Sequence, residues 1–146
     1  SPYFIPDASI LSALESAALG GVDVKLMMTG VPDKRIAFWV ADTYFPSLLE
    51  AGVKIYQYKE GFFHAKTLVV DGSTATVGTC NMDIRSFHLD YEVNVIFYDS
   101  GKAGEIRNHF LEDLNHCVEI TRESNNRKSL PVRLRNSIFR IIAPLL

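Results

Sequence analysis

The sequence predicts an α/β fold, a mixed and mostly parallel β-sheet sandwiched by helices. Three observations lead there. Helical and extended patterns alternate along the chain, which favours parallel strands joined by helical crossovers. One Asp-Gly pair stands between two apolar runs, so at least one pair of strands is antiparallel. The 146 residues are 47% hydrophobic and 22% charged, a globular composition with room for one domain.

The elements follow in order. Tyr3-Phe4-Ile5 is apolar and closes at Pro6, like the end of a strand. Asp7 or Ser9 can cap a helix whose inner face carries Ile10, Leu11, Leu14, Ala17 and Ala18, and Gly20-Gly21 stops it. Val22 to Met28 alternates apolar and charged residues and predicts a strand. After the Thr29–Pro32 loop, Asp33 is placed to cap a helical stretch from Lys34 to about Ala51, interrupted near Pro46. Val53 to Tyr58 is a second strand. His64 to Val70 and Thr74 to Gly78 flank the Asp71-Gly72 turn as a hairpin. Tyr91 to Tyr98 is a further strand, with Val93 to Phe97 suited to a sheet interior. Lys102 to about Val118 is a helix with Ile106, Phe110, Leu114 and Cys117 or Val118 inward. No internal repeat or low-complexity segment is present.

Charge divides the chain into an acidic body, residues 1–120, and a basic tail, residues 121–146. The body holds nine Lys and Arg against sixteen Asp and Glu; the tail holds six against Glu123 alone. The acidic body argues against a general nucleic-acid binder, whose affinity comes from neutralising phosphates. In the tail, Leu130, Leu134, Ile138, Ile141 and Ile142 form one helical stripe with arginines on other sides. Such a helix suits an anionic bilayer surface or a packed position on a partner domain. No apolar run approaches the roughly 20 residues that cross a bilayer. Two cysteines exclude a disulfide scaffold and suit a reduced compartment. The start at Ser1-Pro2, without Met or leader, suggests a piece of a longer protein.

The chemistry concentrates between Gly61 and Asn94. His64 and Lys66, two apart, would share one face of a strand among Phe62, Phe63, Leu68 and Val69. Side by side in apolar surroundings they are costly unless they meet an anion. Thr79 and Asn81 follow the returning strand and add hydroxyl and amide donors. The joint spacing is H-x-K-x4-D-x6-G-T-x-N. No Cys/His spacing suits a metal. A Cys80 nucleophile would lack an evident base. His88, His109 and His116 lack a Lys two residues on and fit structural or solvated positions. Phe38, Trp39, Tyr44 and Phe45 suit the core, or the lining of a lipid cleft.

This pattern resembles the HKD motif of the phospholipase D superfamily, with His64, Lys66 and Asp71 at its three named positions. Gly78-Thr79-Cys80-Asn81 matches its Gly-Ser-x-Asn extension, with Thr in place of Ser. Further stretches are similar to the C-terminal catalytic half of bacterial cardiolipin synthases: Tyr3 to Asp7, Gly21 to Val24, Leu49 to Tyr56 and Asn81 to Phe87. The resemblance implies a phospholipase D-like half-domain over residues 1–120. In such proteins one motif histidine attacks phosphorus and a second protonates the leaving oxygen, then activates the incoming alcohol. One motif leaves His64's part open; motif order in relatives favours acid/base. Lys66 and Asn81 would hold the phosphate oxygens, with Thr79 helping. Family pattern gives Asp71 a structural place. Glu92, 28 residues after His64, is the candidate carboxylate to orient an imidazole. Asp83 and Arg85 would bind a head group or brace a loop.

The implied activity is phosphatidyl transfer between two phosphatidylglycerol molecules, with no metal or organic cofactor and no nucleic acid. Its partners would be a second HKD half, from the same protein or a second copy, and an anionic membrane. The place would be the cytoplasmic face of the bacterial inner membrane, with this piece itself soluble. The alternatives are a phosphodiesterase of the same superfamily, possible as a homodimer, and a non-catalytic lipid-surface module.

Overall fold

A computed structural model describes residues 1–141 and 143. In chain order the elements are β1 (Phe4–Ile5), α1 (Ala8–Leu19), β2 (Lys25–Thr29), α2 (Arg35–Ala41), α3 (Phe45–Ala51), β3 (Lys54–Tyr58), β4 (Thr67–Val70) and β5 (Thr74–Gly78). There follow β6 (Met82–Asp83), α4 (Ile84–His88), β7 (Asn94–Phe97), α5 (Ser100–Asp113), β8 (Cys117–Ile120), α6 (Arg122–Asn126) and α7 (Leu130–Arg140). The predicted α/β class holds, with parallel and antiparallel ladders flanked by helices.

Three ladders form the β framework. β2 and β3 run parallel, with β8 antiparallel on the other edge of β3. β1 and β6 pair in parallel. β4, β5 and β7 are antiparallel, with β5 in the middle. Parallel pairing is therefore a smaller share than the sequence suggests, because the hairpin recruits β7 and β3 takes β8. Residues 1–5 tie the ladders together: the Ser1 nitrogen donates to the Met27 carbonyl at 3.0 Å, and the Met82 amide donates to Ser1 Oγ at 3.0 Å.

The core lies where β1, β2 and β3 meet α2 and α3. Phe4, Ile5, Met28, Val40, Phe45, Leu48 and Ile55 are buried there. α1 begins as expected, with Asp7 Oδ1 accepting from the Ile10 amide at 2.8 Å. Its apolar face is half-buried against the core through Leu11, Leu14 and Ala18. The stretch 34–51 breaks at residues 42–44, and Pro46 sits in the first turn of α3, where its missing amide costs nothing. Asp33 does not cap α2. Its carboxylate accepts from Tyr3 Oη at 2.6 Å instead, and Lys34 stands at the cap without a side-chain bond.

Two boundaries move for a clear reason. The strand expected from His64 starts only at Thr67. The Gly78 amide still reaches the Lys66 carbonyl at 3.2 Å, but the Thr79 amide turns to Val93, so the ladder ends. The helix expected to Val118 stops at Asp113 and a 3₁₀ turn, Leu114–His116. Cys117 and Val118 enter β8 because the free edge of β3 takes a partner there, Tyr58 opposite Cys117.

The basic tail is not a detached arm. Arg122 donates through Nε to the Leu49 carbonyl and through Nη2 to that of Glu50. α7 packs on α2: Asn136 is buried and donates to Asp42 at 3.2 Å, Phe139 lies beside Trp39, and Arg135 sits 3.9 Å above the Trp39 ring. The opposite stripe of Leu130, Leu134, Ile138 and Ile141 is exposed. Ile142, the last member of the expected stripe, lies outside the described residues. Among the described residues no helix is long and apolar enough to cross a membrane.

Candidate active site

The site is assembled where the β4–β5 hairpin opens toward β6 and α4. At the closed end, Asp71 and Gly72 both have positive φ, 51° and 64°, and the Ser73 amide donates back to the Val70 carbonyl at 3.1 Å. That geometry sets the hairpin. It also carries Asp71 to the far end of β4 from His64. Asp71 lines a groove of about 620 Å³ with Lys25, Arg107 and Phe110. No other candidate site residue lines that groove.

At the open end stand His64 and Lys66. They lie in the irregular segment before β4, not on a strand face. The Phe62 ring packs 5.5 Å from the His64 ring and 6.5 Å from Tyr3, while Phe63 packs on Tyr58. These aromatic contacts hold the segment in place of a ladder. The His64 imidazole is exposed and has no hydrogen-bond partner among the described residues. Lys66 Nζ donates to the His64 carbonyl at 3.0 Å, which leaves two of its donors free. Burial lowers its pKa, and the Glu92 and Asp83 charges partly offset this.

The hydroxyl and amide groups form a network that sequence spacing does not reveal. Thr79 Oγ1 donates to Glu92 Oε2, Ser86 Oγ donates to Glu92 Oε1 at 3.0 Å, and Asn81 Nδ2 donates to Ser86 Oγ at 3.4 Å. The Val93 amide completes it by donating to Thr79 Oγ1 at 3.0 Å. Three corrections follow. Glu92 accepts from Thr79 and Ser86, and among the described residues no bond joins it to the imidazole of His64. Glu92 precedes β7, which begins at Asn94, and β7 is an edge strand with Val95 and Ile96 exposed, not an interior one. The Thr79 hydroxyl proton is committed to Glu92 and is not turned toward an anion.

Asn81 remains well equipped. Nδ2 has a second hydrogen to offer, and Oδ1 is buried without a partner among the described residues. Asp83 acts as the brace: Oδ1 accepts from the Ser86 amide at 2.8 Å and caps α4. Arg85 is exposed and pairs with Asp90 at 3.1 Å. The residue sequence reasoning missed is Ser86, buried at the centre of the network. Its only advance signal is its place three residues after a capping Asp.

Gly78 has a steric reason to be glycine. A Cβ there would come within 1.8 Å of Asn94 Oδ1 and 2.3 Å of the Val93 carbonyl oxygen. The close approach of β5 to β7 at that point delivers Glu92 and Val93 to Thr79.

The remaining histidines are occupied elsewhere. His88 pairs with Asp7 at 3.1 Å, His109 with Glu112 at 3.6 Å and His116 with Glu60 at 2.9 Å. Burial and the charges of Glu92 and Asp83 push the Cys80 thiol up, away from the thiolate. Among the described residues no three His, Cys, Asp or Glu side chains gather in a way that could hold a metal ion.

Comparison with known proteins decides the family. A family described as "Cardiolipin synthase, PLD-like domain" matches residues 1–114. The chain belongs to that family. A cardiolipin synthase of Geobacillus thermodenitrificans is 49% identical over all 146 residues, which span 29% of that protein. One from Clostridium perfringens is also 49% identical, over 31% of its length. The chain thus spans under a third of these curated relatives. Among solved structures, a phosphatidylserine synthase of Haemophilus influenzae superposes with a TM-score of 0.75 at 15% identity, over all of this chain and 40% of that one. A phospholipase D family member from Salmonella typhimurium gives 0.70 at 21% identity, over 82% and 78%. At such identities these two speak for the fold alone.

Proposed function

We propose that this chain supplies one half of the active site of a phosphatidyl transferase, which joins two phosphatidylglycerol molecules into cardiolipin and releases glycerol. The observation that carries the reading is the unpaired His64 imidazole at the open end of the hairpin, with Lys66 bonded to the His64 carbonyl and free donors left on Lys66 and Asn81. One histidine of a pair takes phosphorus as the glycerol oxygen leaves, and the other gives that oxygen a proton. The acceptor hydroxyl then returns the proton as its oxygen displaces the histidine nitrogen. The partner histidine must come from outside this chain, since His88, His109 and His116 each face a carboxylate of their own. Lys66 and Asn81 hold the non-bridging oxygens, where donors count most as charge develops. Glu92 acts through Thr79 and Ser86, and so positions Asn81. Asp71 belongs to the turn.

The exposed stripe of α7 supports contact with an anionic bilayer on which the substrates reside, and the inner-membrane placement rests on the same argument. The test uses the protein that contains both motifs. His64→Ala is expected to abolish transfer to below one part in a thousand while the fold persists. Lys66→Ala and Asn81→Ala are each expected to cost about 10² in rate, the scale of one lost oxyanion donor. Transfer by His64→Ala within threefold of the unaltered protein would sink the reading.

A further inference from the structure

A second basic site lies next to His64. A cleft of about 440 Å³ opens between β1, the start of α2 and α4, lined among others by Tyr3, Lys34, Arg35, Ile36, Asp83 and Arg85. Residues 1–120 carry only nine cations, and three of them face this one cleft. Arg85 already pairs with Asp90 at 3.1 Å, so the charge left to attract an anionic occupant is that of Lys34 and Arg35. Among the described residues neither Lys34 Nζ nor the Arg35 guanidinium is paired with a carboxylate. Asp83 is occupied in capping α4, and Asp33 in accepting from the Tyr3 hydroxyl. Ile36 and the Tyr3 ring add an apolar wall. The cleft adjoins the chemistry: Lys34 Nζ lies 5.2 Å from the centre of the Tyr3 ring, Tyr3 packs on Phe62, and Phe62 packs on His64.

We propose that Lys34 and Arg35, with Arg85 at the rim, hold the phosphodiester of the acceptor lipid while its terminal hydroxyl reaches the phosphorus at the histidine pair. This rests on the transferase reading above. The acceptor differs from water or a simple alcohol in carrying a phosphate one glycerol away from its reacting oxygen. A cation pair that holds that phosphate selects it over the more abundant water. In the step itself, the acceptor oxygen bonds phosphorus as the histidine–phosphorus bond breaks, and the hydroxyl proton passes to the other histidine.

The experiment lets two acceptors compete in the protein containing both motifs. Labelled donor lipid is offered phosphatidylglycerol and ethanol together, and the ratio of cardiolipin to phosphatidylethanol is measured. The variant Lys34→Gln/Arg35→Gln is expected to lower that ratio at least tenfold through a raised acceptor KM, and Arg35→Lys in an otherwise unaltered chain to keep most of it. A ratio within twofold of the unaltered protein overturns the proposal, including the case in which both products fall together. If the cleft serves free phosphate instead, the ratio moves only when inorganic phosphate is added, and the acceptor assignment falls. If the unaltered protein makes neither product, the transferase reading has failed. The cleft is then judged by calorimetric titration with glycerophosphoglycerol, where tenfold weaker binding by the double variant supports the site and equal binding overturns it.

Discussion

At the scale of single residues, the two carboxylates of the motif region part company. Glu92 accepts from two hydroxyls, and Glu92→Gln would keep the shape while replacing one acceptor oxygen with a donor. The expected result is a rate about tenfold or more below the unaltered protein with a melting temperature within a few degrees, checked by assay and calorimetry on one preparation. Asp71 stands at φ 51°, where a β-branched side chain is strained. Asp71→Asn is expected to leave stability and rate nearly unchanged, because Asn tolerates that conformation. Asp71→Val is expected to destabilise by roughly 1–2 kcal/mol with the rate per folded molecule retained. The reverse pattern, activity lost in Asp71→Asn and kept in Glu92→Gln, would exchange the two roles. His64, Lys66 and Asn81 could be picked out as candidates because the motif spacing is read along the chain, but the placing of His64 and Lys66 before β4 could not. Glu92's partners were not, since Thr79 and Ser86 meet it only after β7 returns to β5. The short reach from Asp83 to Ser86 was available in the sequence, but nothing local shows that the Ser86 hydroxyl points inward.

Among the elements, the approach of β5 to β7 has the sharpest consequence. Gly78→Ala is expected to push the strands apart, costing about 1–3 kcal/mol as an overpacked contact does, and to lower activity further by withdrawing Glu92 from Thr79. Denaturant unfolding and assay together check this; a fully stable, fully active Gly78→Ala protein would refute the steric argument. Between β2 and β3, Asp23 bonds Lys25 and Lys54 at the surface, and these bonds, Lys25 first, lower its pKa to about 2. A carboxylate whose pKa falls on folding contributes stability above its unfolded value, 3.8, and loses it as pH falls toward 2. Asp23→Asn is expected to flatten that part of an acid-unfolding curve and to cost less than about 1 kcal/mol near neutrality, because the pair is exposed. The hairpin and α1 were legible, since Asp71-Gly72 and Asp7 act within a few residues. β8 was not. Ile106, Phe110 and Leu114 continue a helical period straight into Cys117, and only the vacant edge of β3, far back in the chain, turns Cys117–Ile120 into a strand. The short strands β1 and β6 pair across nearly 80 residues, a distance no local pattern spans.

At the scale of the whole molecule, two apolar surfaces among the described residues stand out as exposed. One is the face of the β4–β5–β7 sheet away from α5, with Leu68, Val70 and Ile96 exposed, together with the free edge of β7 and the ring of Phe62. Unpaired strand edges and apolar faces beside an incomplete site favour docking of a second motif-bearing half. Alone, the chain is expected to self-associate and to give no transfer from purified phosphatidylglycerol; mixing with the other half should restore it. Full turnover by a strictly monomeric chain would end the two-histidine argument. The other surface is the apolar stripe of α7. That the tail carries a basic amphipathic helix was legible from its period. That its far face locks onto α2 was not, because Asn136 reads as a solvent residue until Asp42 is brought opposite it. This docking has an optical consequence. Trp39 is the chain's single indole, packed against both the guanidinium of Arg135 and the ring of Phe139 on α7. Its emission therefore reports whether α7 is seated. If the stripe enters a bilayer with the helix still in place, tryptophan fluorescence keeps its wavelength on adding anionic vesicles, while Leu134→Trp, placed on the stripe in a Trp39→Phe background, shifts to the blue. A change at Trp39 itself would mean that the helix leaves its seat to reach the lipid.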